Sequence, residues 1–158
     1  MGNSLIKHLR QPTSNSCVIT CIAMAAGLTQ EELDKDFATG GELKQVHDAF
    51  ALTPSVDVLI PYLRSKRKGF ALPNHDAFVT DEFYEGWNYL LIVPSLGVVQ
   101  GKLHCVLLEC VKGDYPKLHD PAMGVPGAQY YINKIDPLTN GLQVHLDSWV
   151  IALGVFLK

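Results

Sequence analysis

The chain has 158 residues, with 47% apolar and 18% charged side chains and a mean hydropathy of +0.11. That composition belongs to one folded domain; it excludes a disordered chain and leaves no room for a second independent core. Lys and Arg number 13 against 16 Asp and Glu, a net charge of −3, so no basic excess exists to neutralise phosphates and a nucleic-acid platform is disfavoured.

In chain order, Met1 to Pro12 carries His8 and Arg10 and lacks an apolar run of signal-peptide length. No stretch reaches 18 uninterrupted apolar residues, so no membrane insertion is expected and the protein reads as cytoplasmic. The turn-forming segment Gln11 to Ser16 then leads into Cys17–Ala26, an apolar run closed by Gly27. This pattern predicts a buried helix capped by Asn15 or Ser16, with Gly27 in the left-handed position at its end. Thr29-Gln30-Glu31-Glu32 reads as a capping box opening a short helix to about Phe37, which Gly40-Gly41 breaks. Glu42–Phe50 and Pro54–Lys66 are two further helices, the second with Thr53 as cap. The cluster Arg64 to Lys68 reads as a solvated helix end.

From Tyr89 the pattern turns to strands: Tyr89–Val93, His104–Val111, Tyr115–His119, Tyr130–Ile132 and Trp149–Leu157. Gly113-Asp114 makes the turn between the second and third. Helices first and strands later predict an α+β fold with an antiparallel sheet. One domain over residues 1–158 is expected, with a helical lobe at about 11–68 packed on a sheet lobe at about 87–158.

The chemistry-bearing residues fall at the junctions of these elements. Cys17 opens the buried helix, where the dipole and free N–H groups favour a thiolate. Gln11 lies across a turn from it, placed to add a side-chain amide to the Cys17 N–H as a second donor to an oxyanion. His104 opens a strand, a rigid mount for an imidazole facing a helix. Asp120 follows 16 positions later, past one hairpin turn, where its carboxylate can return beside His104 and fix the ring.

Gln11, five residues, Cys17 and then Cys21-Ile22-Ala23-Met24 resemble the active-site helix of the double-glycine-leader peptidases, papain-like cysteine peptidases that trim bacteriocin precursors. His104-Cys105-Val106-Leu107-Leu108 through Tyr115, ending His119-Asp120-Pro121-Ala122-Met123-Gly124, is similar to that family's histidine strand and its Asp-Pro turn. The resemblance covers roughly a third of the chain, with both blocks in the family's order. It implies a papain-like fold with Cys17 as nucleophile, His104 as general base and acid, Asp120 as orienter and Gln11 in the oxyanion hole. No cofactor is implied, and the partner is a peptide or protein substrate. Two departures stand out: Val18 occupies a position where the family has Gly, and Asn15-Ser16 replaces an Asp-containing entry.

Other assignments compete for these residues. Cys17, Cys21, Cys105 and Cys110 with His104 can be imagined as a zinc site, but the spacings Cys-x3-Cys and Cys-x4-Cys differ from the two-residue knuckle, and Cys105 points opposite to His104 on a strand. Cys21 reads as a small core residue. His119 reads as solvent-facing, His145 with Asp147 as a pair tied to no cysteine, and His8, His47 and His75 as surface residues. Trp87 and Trp149 read as core or rim aromatics. The leading expectation is a thiol hydrolase cutting a peptide or amide through Cys17, His104, Asp120 and Gln11. The alternatives are a silent domain that binds a peptide or partner protein in the same cleft, or an acyl transferase. Sequence leaves the substrate and the oligomeric state open.

Overall fold

A five-stranded sheet in the order β1-β7-β2-β3-β4, antiparallel throughout, carries three helices that precede it in the chain. The structure is a computed structural model and describes residues 4–52, 58, 61, 78–79, 82–97 and 102–156. The helices are α1 (Cys17–Ala26), α2 (Gln30–Thr39) and α3 (Glu42–Leu52). The strands are β1 (Phe78–Val79), β2 (Trp87–Pro94), β3 (Leu103–Glu109), β4 (Lys117–His119), β5 (Tyr130–Ile132), β6 (Gln143–His145) and β7 (Ile151–Phe156). The fold is α+β, as the pattern predicted. A separate two-stranded pairing of β5 with β6 is parallel, and neither β1 nor β6 was expected. The helix expected at Pro54–Lys66 lies, apart from Val58 and Pro61, outside the described residues, as does His75. Among the described residues, no helix is long and apolar enough to cross a membrane.

Helix α1 is buried because it has no polar face to show: Ile19 through Ala25 are all withdrawn from water. Gly27 ends it at φ 79°, its N–H turned back onto the α1 carbonyls while Leu28 N–H reaches Ala23 O at 3.1 Å. The capping box of α2 forms as expected, with Glu32 N–H on Thr29 Oγ1 at 3.1 Å and Thr29 N–H on Glu32 Oε1 at 3.0 Å. Its last turn serves the next helix. Asp36 accepts the N–H groups of Leu43 and Lys44 at 3.1 and 2.7 Å, a carboxylate at the positive end of α3. A Cβ on Gly41 would sit 2.5 Å from Asp36 Oδ2, so this capping geometry needs glycine there.

The sheet separates two apolar clusters by simple alternation along its strands. Leu90 of β2 and Cys105 and Leu107 of β3 join α1, Leu33, Leu43, Ile6 and Leu9. Tyr89, Leu91, Val93 and Val106 point the other way, toward Tyr131, Cys110 and Ala152. Each such large aliphatic contributes about 1.5–3 kcal/mol by leaving water. The amino-terminal segment is drawn into the first cluster through Ile6 and Leu9 and is fastened by a buried carboxylate. Glu109 is 5% exposed and accepts Ser4 Oγ–H and Leu5 N–H at 2.6 Å, Ile6 N–H at 3.2 Å and His119 Nε2 at 3.0 Å.

Sheet register prepares the site. Leu107 pairs with His119 across β3 and β4. Extending that register by one step sets Asp120 opposite Val106, a diagonal neighbour of His104 on the same face. Hairpin geometry alone therefore brings the carboxylate to the imidazole.

Candidate active site

Cys17 is the first residue of α1 and is half-buried. Ser16 stands at the N-cap position, but its hydroxyl does not cap the helix as expected. It turns back to donate to Thr13 O at 2.9 Å and to accept Thr13 N–H at 3.0 Å, which locks the entry turn. The first-turn N–H of Val18 is left to serve the Cys17 sulfur, joined by Cys105 N–H from β3. Burial pushes the Cys17 thiol up, yet the hydrogen bond and charge of His104, with those two N–H groups, outweigh it and hold the thiol below its ordinary value.

His104, the second residue of β3, has a side chain 15% exposed, and its Nε2 meets Asp120 Oδ1 at 2.6 Å. That contact leaves Nδ1 as the ring nitrogen for the thiol. Burial alone would lower the imidazole; the hydrogen bonds to Asp120 and Cys17 and the charges of both raise it, to about 10. A thiol held below its usual range beside an imidazole held above it favours passage of the thiol proton to the ring.

Asp120 is 2% exposed, and both oxygens of its carboxylate are hydrogen-bonded. Oδ1 accepts Ala122 N–H at 2.9 Å besides His104, and Oδ2 accepts Tyr131 N–H at 2.7 Å. Such a carboxylate cannot rotate without breaking a buried bond, so the ring it holds is fixed as well. Gln11 is 8% exposed, its N–H on Pro121 O at 2.9 Å, directly tied to the Asp120 turn. Its Nε2 donates one hydrogen to Thr13 O at 2.9 Å, which leaves a second amide hydrogen available. Among the described residues its buried Oε1 has no hydrogen-bond partner. Gln11 and His104 line one cavity of about 300 Å³. The structure thus joins Cys17 to His104 and His104 to Asp120, and sets Gln11 on the same cavity as the ring. What this arrangement can do is deliver a charged sulfur, a proton donor and an amide N–H to one carbonyl.

Other histidines correct the expectations. His119 is not solvent-facing: its ring is turned in by the buried Glu109. His47 is not at the surface either but buried on α3 beside the Phe37 ring, its imidazole lowered chiefly by burial. His8 is half-buried, with Nε2 on Met123 O at 2.8 Å. His145 bonds the Asp136 carbonyl at 2.8 Å, while Asp147 lies 3.6 Å from Lys134, so the expected His145–Asp147 pair does not form. Cys21 lies in the core with its thiol toward Cys105 O, and Cys105 and Cys110 are buried too, all four cysteines unbridged. Trp87 is half-buried, and the more exposed Trp149 packs edge-on against Phe83. Glu109 went unnoticed in the sequence, although an acid inside His104–Val111 is a signal for a buried partner.

Compared with protein-family models, with curated proteins and with solved structures, the chain matches none. Function therefore has to be argued from the site itself.

Proposed function

We propose that the protein is a cysteine peptidase or amide hydrolase of papain-like fold, acting on a peptide or protein substrate. The observation that carries the reading is the His104–Asp120 pair, Nε2 to Oδ1 at 2.6 Å, whose imidazole lowers the Cys17 thiol through hydrogen bonding and charge. A structural cysteine needs no raised imidazole, and a structural histidine needs no thiol. The sequence resemblance to the double-glycine-leader peptidases supports the same roles.

In the proposed reaction the Cys17 thiolate attacks the carbonyl carbon, forming a C–S bond. The oxyanion is held by the Cys17 N–H at the start of α1 and by the second Nε2 hydrogen of Gln11. His104 gives its proton to the leaving nitrogen as the C–N bond breaks, and then takes one from the water that hydrolyses the thioester. Asp120 keeps the ring oriented through both transfers and stabilises its protonated form before the first and after the second.

The test is mass spectrometry of candidate leader-type peptides incubated with the protein. Wild type is expected to release fragments, Cys17→Ala none, and Gln11→Ala about 10²-fold more slowly in kcat. Cleavage that persists in Cys17→Ala overturns Cys17 as the nucleophile, and peptide bound but left whole by wild type overturns the hydrolase and leaves a binding domain.

A further inference from the structure

The cavity beside His104 lies to one side of the reacting centre. Gln11 and His104 border it with Ser95, Gly97, Ala122, Ala128 and Gln129, whereas Cys17 and the rest of α1 do not line it. In amide cleavage the acyl half ends on the nucleophile's sulfur, and the departing nitrogen collects its proton from the imidazole. A space walled by the proton donor and not by the nucleophile's helix is therefore the leaving-group side. We propose that this cavity seats the residue on the carboxyl side of the scissile bond and selects an uncharged one; the inference rests on the hydrolase reading above.

Lining chemistry carries the selectivity. Gly97, Ala122 and Ala128 leave room, and Ser95, Gln11 and Gln129 offer neutral dipoles. Among the described lining residues there is no Lys, Arg, Asp or Glu, and the charge of His104 is engaged by Asp120. A charged side chain entering there would lose water and find no counter-ion, a strongly unfavourable exchange. The wall is also preformed. Met123 N–H bonds Asp120 O, Val125 N–H bonds Ala122 O and Ala128 N–H bonds Val125 O, at 3.0–3.1 Å, three successive turns that begin at the Asp120 main-chain carbonyl.

Acyl-enzyme partitioning isolates this cavity from the acyl side. N-acetylglycine p-nitrophenyl ester would acylate Cys17, releasing p-nitrophenolate, and added amino-acid amides would compete with water for the thioester. The amine nitrogen bonds to the acyl carbon, its proton passes to His104, and the C–S bond breaks to return the thiolate. Product masses then give the ratio of N-acetylglycyl amide to N-acetylglycine. Alaninamide, leucinamide and glutaminamide are expected to be captured at least about 10-fold better than argininamide or aspartic acid α-amide, the penalty of an unpaired charge. Gln129→Glu, an exposed and structurally mild change, is expected to raise argininamide capture relative to alaninamide. Ala128→Trp is expected to lower the capture-to-hydrolysis ratio of every amide. Equal capture of all five amides, or ratios that neither variant moves, overturns the assignment while leaving the hydrolase intact. Absence of any p-nitrophenolate burst from wild type that Cys17→Ala lacks overturns the hydrolase, and the cavity's role with it.

Discussion

Two opposed influences meet at Cys17 and again at His104. At the thiol, burial disfavours charge and the imidazolium restores it; at the ring, burial disfavours charge and two anions restore it. Because the thiol is lowered and the imidazole is raised to about 10, both shifts favour the charged pair. Activity, read as kcat/KM or as the rate of alkylation by iodoacetamide, is expected to rise with pH as Cys17 deprotonates, at a pH below that of an ordinary thiol. Peptide turnover is then expected to fall as His104 loses its proton near pH 10. His104→Ala should move the acid limb of alkylation up, toward an ordinary thiol; an unmoved limb would remove the ring from the pair. Much of this site was readable beforehand because each participant sits where a periodic segment meets a turn: Cys17 at a helix start, His104 at a strand start, Asp120 just past a hairpin. His119 was misjudged because local alternation cannot sense a carboxylate buried ten residues earlier. The Ser16 hydroxyl was misjudged because a turn and a cap compete for the same oxygen.

Among the elements, β3 has two tasks in seven residues. Its first end presents His104 and its last presents Glu109, which gathers Ser4, Leu5, Ile6 and His119. The amino-terminal segment is thereby bound to the turn that carries Asp120, because His8 and Gln11 bond Met123 and Pro121 in the same stretch. Burial raises the Glu109 carboxyl, but the bonds from His119, Ser4 and Leu5 hold it below its usual value. A depressed folded-state value contributes stability above the unfolded value of 4.5 and loses it as pH falls through the folded one. Glu109→Gln is therefore expected to cost about 2 kcal/mol at pH 7 in urea unfolding. The difference from wild type should shrink in acid; a constant difference would point to packing instead of charge. Periodicity revealed the helices and β2, β3 and β7 to within a few residues. The short strands β1 and β6 were not seen, since two or three residues carry little alternation to mark a strand, whereas β4 lies within the expected Tyr115–His119 and β5 matches Tyr130–Ile132.

For the molecule as a whole, stability rests on the cluster between α1 and the sheet. Leu107 is fully buried there, so Leu107→Ala is expected to destabilise by about 3 kcal/mol. Leu52, 86% exposed at the end of α3, should tolerate the same change within about 0.5 kcal/mol. Urea midpoints at constant m compare the two, and equal losses would contradict this placement of the core. Sheet order was legible only in part: the Gly113-Asp114 turn places β4 beside β3, but alternation tells which residues face inward and not that β7 lies between β1 and β2.

That order has a consequence for how the sheet closes. Strand β7, drawn from residues 151–156, lies between β1 and β2, and Val150 N–H adds a bond to Ile92 O at 2.7 Å. Without this segment β2 has one edge unsatisfied and β1 has no neighbour, so the sheet that carries His104 closes only when β7 enters between them. Closure is then one non-local step, joining residues 78–79 and 87–94 to residues far along the chain.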